Sequence, residues 1–324
     1  MSSVVKVLII GAGQLGSRHL QGALKSSHKL LITIVDPSSD SLKLSKIRAN
    51  EIELGNSETK IKYMREIPKN KNFNICIIST NANIRARVTQ VLLVNCYTKH
   101  IIFEKILFQK EADFEIISKL IKKKNISAWV NCPRRTYSNY QKIKNLINAK
   151  KPLKMSIVGS SWGMACNAIH FIDLFSFLVD SFNLEVTKMN LSKYIFKSKR
   201  GGSFYEVNGQ IEFKIGIHLL KISCRHGKKT SLQIKIKNNN IEYSINELEG
   251  IWQSNINGLT KLKYHKMPYQ SDMTKNLIDD LIDKNQCYLT SYQESHKHHM
   301  PFLSVIKKHL SKTLKKKFAG CPIT

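Results

Sequence analysis

The sequence predicts an α/β protein in two parts: a doubly wound parallel sheet, then an α/β domain built on a large, mainly antiparallel open sheet. Three features carry this prediction. Strand-length apolar runs alternate with helical patterns as far as about residue 130. A glycine-rich turn joins the first strand to the first helix. Beyond about residue 150, strand-like stretches follow one another with turn residues between them.

Residues 4–10 form an apolar run bounded by glycine, the pattern of a parallel strand buried on both faces. The turn Gly11-Ala-Gly-Gln-Leu-Gly follows at once, and residues 17–24 carry apolar side chains at helical spacing. A second strand over 30–35 ends in Asp36 and Pro37, where proline stops the pairing. The alternation continues with a strand over 73–79, a helix over 84–95, a strand over 100–103, a helix over 111–123 and a strand over 126–130. The second part opens with a strand over 154–158 and a helix over 166–179. Strands over 205–213, 217–224, 231–237 and 241–245 come next, with turn signals at 201–202, 226–227 and 238–240. Two amphipathic helices, about 271–284 and 292–316, close the chain. The expected domains are therefore 1–130 and 131–324, with the last helix packing back on the first.

The 324 residues, 42% hydrophobic, suffice for two cores. No apolar run approaches the roughly 20 residues of a membrane span, and the start shows no leader pattern. A cytoplasmic protein without a membrane partner is expected. The cysteines Cys76, Cys96, Cys132, Cys166, Cys224, Cys287 and Cys321 are scattered and form no C-x-x-C pair, so reduced, packed thiols are expected. The formal charge of +29 is spread through nearly every segment, with only Lys315 to Lys317 forming a dense run. A dispersed charge of this kind predicts no nucleic-acid groove. His296, His298 and His299 do not share one helix face, so no metal site is expected.

Gly11, Gly13 and Gly16 lie between a predicted strand and a predicted helix, which is the context that gives this spacing meaning. The first glycine permits a tight turn, the second admits a pyrophosphate, and the third lets helix and strand pack closely. Phosphates then meet the unpaired N–H groups of the helix start. A Rossmann domain holding NAD is expected, with Gln14 and Leu15 of the turn among its contacts. Asp36, at the end of the second strand, can accept from both adenosine ribose hydroxyls and repels a 2′-phosphate. This favours NAD, while Ser38, Ser39 and Lys43 leave NADP open. Thr80, after the strand over 73–79, is a further cofactor candidate.

Three motifs in order, Gly11-Ala-Gly-Gln-Leu-Gly-Ser-Arg-His19, Phe103-Glu-Lys-Ile106 and Asn167-Ala-Ile-His-Phe-Ile-Asp173, give the chain a family likeness. It resembles the Gfo/Idh/MocA family, relatives of glucose-fructose oxidoreductase and inositol dehydrogenase, as far as the helix after Leu289-Thr-Ser-Tyr-Gln-Glu294. The resemblance implies NAD(P)-dependent chemistry on sugars, cyclitols or nucleotide sugars. It places Glu104 and Lys105 among the cofactor contacts, with Lys105 between nicotinamide and substrate, although Ile106 replaces the usual proline. It also gives the catalytic role to His170, whose imidazole suits removal of a hydroxyl proton. Asp173 follows His170 by three positions, and Cys166 stands where the family has a carboxylate, a charge that a thiol cannot replace. Asn167 offers an amide beside it.

Gly159-Ser-Ser-Trp-Gly163 precedes this helix, and Trp162 either stacks on a sugar or belongs to the core. Arg134 and Arg135 either bind an anionic group or form a solvated pair. The implied function is oxidation or reduction of a secondary alcohol or ketone on a sugar, sugar acid or nucleotide sugar, in surface-glycan biosynthesis. The alternative is a non-catalytic NAD-binding sensor or partner protein. The family likeness further implies a homo-oligomer paired through the second-domain sheet.

Overall fold

Val7, Leu8 and Ile9 have no exposed surface, which places β1 (Val5–Ile10) inside a sheet covered on both faces. The computed structural model describes residues 4–201 and 203–324; the first three residues and the turn signal at 202 lie outside the described residues. The chain forms two units. One comprises Met1–Phe108, Ala112–Asn131 and Pro268–Tyr292, the other Gln109–Glu111, Cys132–Met267 and Gln293–Thr324.

In the first unit β1 is followed by α1 (Gly16–Leu24), β2 (Leu30–Val35), α2 (Ser39–Asn50), β3 (Lys60–Met64) and β4 (Lys71–Ile78). Next come α3 (Ala82–Asn95), β5 (Cys96–Phe103), α4 (Glu111–Lys123) and β6 (Ser127–Val130). These strands pair in parallel in the order β6-β5-β4-β1-β2-β3. The order reverses beside β1, so the carboxyl ends of β1 and β4 open at a topological switch point, where open α/β sheets bind ligands.

α2 escapes a periodicity reading because only Ser45 and Ala49 of its length are buried, leaving no apolar stripe to read. It forms on a local signal instead: the Ser38 side chain accepts from Ser41 N–H as an N-cap.

The C-terminal part of the chain divides between the two units. The segment belonging to the first unit is Pro268–Tyr292, whereas most of the last helix belongs to the second. Its helix α7 (Gln270–Asp283) buries Leu277, Ile278 and Leu281 in the same cluster as Leu20, Ala23 and Leu24 of α1. The two helices approach so closely that a Cβ on Gly22 would stand 2.3 Å from the Ser271 carbonyl oxygen. A short strand, β15 (Thr290–Ser291), extends the sheet antiparallel to β6.

The second unit contains α5 (Ser138–Leu146), β7 (Leu153–Ser160), α6 (Met164–Val179) and β8 (Glu185–Lys197). The strands β9 (Tyr205–Ile215), β10 (His218–Arg225), β11 (Gln233–Asn238), β12 (Ile241–Asn246), β13 (Ile251–Ile256) and β14 (Leu259–Tyr264) follow. The helix α8 (Tyr292–Thr313) comes last. Among the described residues they form an eight-stranded sheet, ordered β14-β13-β12-β11-β7-β10-β9-β8, antiparallel except at β7 and β10. Burial alternates strictly along β7 and β11, so one face is covered and the other is not. α6 packs on this sheet and is buried almost all round. Among the described residues no helix is long and apolar enough to cross a membrane.

Candidate cofactor and substrate sites

The glycine turn is built for two reasons, one internal and one external. Gly11 has φ +97°, and a Cβ on Gly16 would stand 1.7 Å from the Gly11 carbonyl oxygen. Both are required by the protein's own backbone. A Cβ on Gly13 would meet no atom within 4 Å, so its lack of a side chain keeps open a space at the start of α1. A pyrophosphate needs that space. Ser79, after β4, donates to the carbonyls of Ile10 (3.1 Å) and Gly11 (2.8 Å) and holds the turn.

Asp36 sits at the end of β2. Its Oδ2 accepts from Ala12 N–H at 2.8 Å and its Oδ1 from Ser38 N–H at 2.9 Å. The carboxylate is thereby fixed, and two oxygens with about four lone-pair sites can still accept ribose hydroxyls. Gln14 is held by Arg48 of α2, which donates to its backbone carbonyl at 2.9 Å and to its side-chain oxygen. Arg48 also donates to Ser17 Oγ at 2.7 Å. The sequence reading missed Arg48, and the lack of an apolar stripe on α2 explains why. Leu15 is the N-cap residue of α1. These groups fit NAD.

Glu104, expected to touch the cofactor, is held by internal hydrogen bonds. It is 3% exposed, with Oε1 3.0 Å from His19 Nε2 and accepting from Asn131 Nδ2. Burial pushes its pKa up, but hydrogen bonds and charge from His19, with Asn131 and Lys105, hold it below the ordinary carboxylate value. The following residue, Lys105, is 6% exposed, and the Lys105–Ile106 peptide is cis. The buried Arg85 of α3 pins this loop by donating to the carbonyls of Glu104 (2.7 Å), Ile106 and Leu107 (3.0 Å), and to that of Thr80. An arginine within the buried stripe Ala82, Ala86 and Thr89 was the available signal for it.

In the second unit a cavity of about 430 Å³ opens at the start of α6. Trp162, Gly163, Cys166 and Asn167 form one wall, and Glu206 and Asn208 of β9 form another. Lys197, Lys199, Arg200 and Lys229 supply its cationic side. Trp162 is anchored by donating to the Ser223 carbonyl at 3.0 Å and by edge packing on Phe171. Asn167 donates to the Trp162 carbonyl at 3.1 Å. A Cβ on Gly163 would meet Asn167 Nδ2 at 3.3 Å and both Cys166 Sγ and Glu206 Oε1 at 3.4 Å. Polar groups therefore converge at this glycine. The half-buried His170 stands one helical turn beyond Cys166, on the same stripe of α6.

Two expected substrate contacts make ion pairs within the second unit. Arg134, in the 3₁₀ turn Pro133–Thr136, makes a bidentate pair with Glu247 (2.6 Å at the shortest) and lies 4.3 Å over the Phe171 ring. Asp173 has no exposed surface and receives both Nε and Nη2 of Arg135, at 3.0 and 2.8 Å. A Phe/Ile-rich helix can bury a carboxylate only where a cation accompanies it, and the neighbouring 3₁₀ turn brings that cation.

Residues 5–132 match the Gfo/Idh/MocA family model, described as an oxidoreductase family with an NAD-binding Rossmann fold. Over these residues the chain is similar to that family. The matched residues carry the NAD-binding Rossmann fold that this model describes. Solved structures share the fold over nearly the whole length. A dehydrogenase (MviM) of Clostridium difficile is 16% identical, with TM-score 0.68, covering 94% of this chain and 99% of that one. UDP-N-acetylglucosamine 3-dehydrogenase of Acidithiobacillus ferrooxidans is 10% identical, with TM-score 0.64, covering 94% and 97%. A super-repressor mutant of Gal80p from Saccharomyces cerevisiae is 13% identical, with TM-score 0.70, covering 96% and 97%. No curated protein sequence matches.

Proposed function

We propose that this protein is an NAD-dependent oxidoreductase interconverting a secondary alcohol and a ketone on a sugar that carries an anionic group, a sugar acid or a nucleotide sugar. The observation that carries this reading is the cavity at the start of α6, where an anchored indole, an amide and a carboxylate meet a cationic side. Sugar faces stack on indoles, and the cations suit a phosphate or carboxylate. NAD, when bound, supplies the hydride acceptor or donor. His170 takes the hydroxyl proton during oxidation and returns it during reduction, and Lys105 polarises the substrate oxygen. Asp36 sets the preference for NAD over NADP. The likeness to a UDP-N-acetylglucosamine 3-dehydrogenase supports a nucleotide sugar. The exposed Leu259 and Tyr264 on β14 support pairing of copies through the open sheet.

The test is NADH formation or consumption across sugars, sugar acids and nucleotide sugars. Lys105→Ala and His170→Ala should each lower kcat by roughly 10² to 10⁴, with NAD affinity nearly constant. A parent that turns over a substrate and loses nothing in either variant refutes the catalytic roles. The second reading, a non-catalytic NAD-binding partner protein, is favoured by the thiol at Cys166 and by the likeness to Gal80p. NAD binding with no turnover anywhere in the panel would favour it.

A further inference from the structure

A sugar hydroxyl both donates and accepts, so a sugar site needs strong acceptors as well as cations. The cavity at the start of α6 is rich in donors. Lys197, Lys199, Arg200 and Lys229 can only donate, and the Cys166 thiol is a weak acceptor. Asn208 Oδ1 already accepts from Cys224 Sγ at 3.1 Å. Among the described residues of the wall, the carboxylate is Glu206.

We infer that Glu206 is the residue that receives the substrate's hydroxyl groups in this cavity, so that a carboxylate reaches the site from β9 although position 166 holds a thiol. The inference rests on the sugar reading above. Its geometric support is the fixed aim of the group. Oε2 accepts from Ala165 N–H at 2.9 Å, in the first turn of α6, where the helix start stabilises negative charge. Oε1 stands beside Gly163, within the same 3.4 Å of its Cβ position as Cys166 Sγ. The carboxylate and the thiol therefore border one point of the cavity. A side chain at 163 would occupy that point, and φ +76° at this residue independently favours glycine. The hydrogen bond from Ala165 N–H orients the group.

Glu206 also caps α6, so the test must separate support of the helix from recognition of substrate. Glu206→Gln does this, because its amide oxygen can still accept from Ala165 N–H while the charge is lost. Calorimetry with NAD at saturation would compare the parent, Glu206→Gln and the double variant Cys166→Asp/Glu206→Gln. The ligands are UDP-N-acetylglucosamine, UDP, D-glucuronate and myo-inositol. Glu206→Gln is expected to weaken the hydroxyl-bearing ligands bound by the parent by about ten- to hundredfold, the worth of a charged hydrogen bond. UDP, which lacks the sugar, and NAD should be nearly unaffected, and Cys166→Asp should restore part of the loss. Unchanged sugar affinity in Glu206→Gln overturns the inference and leaves Glu206 as a helix cap. Equal weakening of UDP and sugar also overturns it, as a local collapse. A parent that binds NAD and none of the sugars refutes the sugar reading itself, and the inference falls with it.

Discussion

Nε2 of His19 stands 3.0 Å from Oε1 of Glu104, and Nδ1 of the same ring meets Thr274 Oγ1 at 2.8 Å. One buried imidazole thus ties the helix of the glycine turn to α7 and to the residue preceding Lys105. Removing it leaves a carboxylate buried beside the amide of Asn131. Breaking a buried pair from one side typically costs about 3–5 kcal/mol. His19→Leu is therefore expected to lower the unfolding free energy by about that much in a denaturant titration. Glu104 is held below its ordinary value of 4.5, so its contribution is present above that pH and is lost as pH falls through the lower, folded value. Acid unfolding should be less steep in Glu104→Gln than in the parent.

Gly13 and Gly16 should fail in different ways. A Cβ at 16 meets backbone at 1.7 Å, whereas one at 13 meets nothing. Gly16→Ala is expected to lower Tm by many degrees, and its loss of NAD binding follows from the damaged turn. Gly13→Val should keep the parent Tm without ligand and lose NAD binding in an NADH fluorescence titration. A large Tm loss in ligand-free Gly13→Val would contradict the assignment of that space to the pyrophosphate.

The Rossmann half was legible because its strands are buried on both faces and read as apolar runs, as residues 7–10 show. Where burial did not repeat, as in α2 or the fully exposed β14, the sequence offered no period to read. The site followed the same division. Gly11, Gly13, Gly16 and Asp36 are local and were readable. Arg85, Arg48 and Glu206 reach the Glu104 carbonyl, the Gln14 carbonyl and Ala165 N–H across 19, 34 and 41 positions, which no spacing rule encodes. Arg134 and Asp173 show the converse limit. Their residue types suit a ligand, but Glu247 and Arg135, supplied by the fold, satisfy them first.

His298 adds a pH dependence to the second unit. It has no exposed surface, packs on Phe182 and lies 3.7 Å from Asp173 Oδ1. Burial first, then the charges of Arg135, His299 and Lys297, lower its pKa to about 3. The unfolded chain takes up a proton near 6.5 that the folded protein refuses, so stability is full above that value and declines as pH falls toward 3. His298→Leu should flatten the decline between these limits in urea titrations at stepped pH. An identical slope in both proteins would show that this ring is not its source.

The cations at the cavity should act on substrate charge and leave the chemistry alone. Lys197, Lys199, Arg200 and Lys229 are all exposed. Each contributes little singly in water, yet together they raise the local concentration of an anion. Screening shortens from about 30 Å at about 0.01 M salt to about 8 Å at about 0.15 M. The KM for an anionic sugar should therefore rise across that range in the parent, while the KM for a neutral cyclitol stays flat. In the double variant Lys199→Glu/Arg200→Glu, the anionic substrate's KM should rise by about tenfold at low salt and lose most of its salt dependence, with kcat unchanged. Charge reversal that lowers kcat on neutral and anionic substrates alike would mean that these residues shape the cavity and do not select what enters it. The same spread of charge should give only weak DNA retention in gel shifts, vanishing by physiological salt; sequence-selective retention at that salt would contradict a dispersed surface charge.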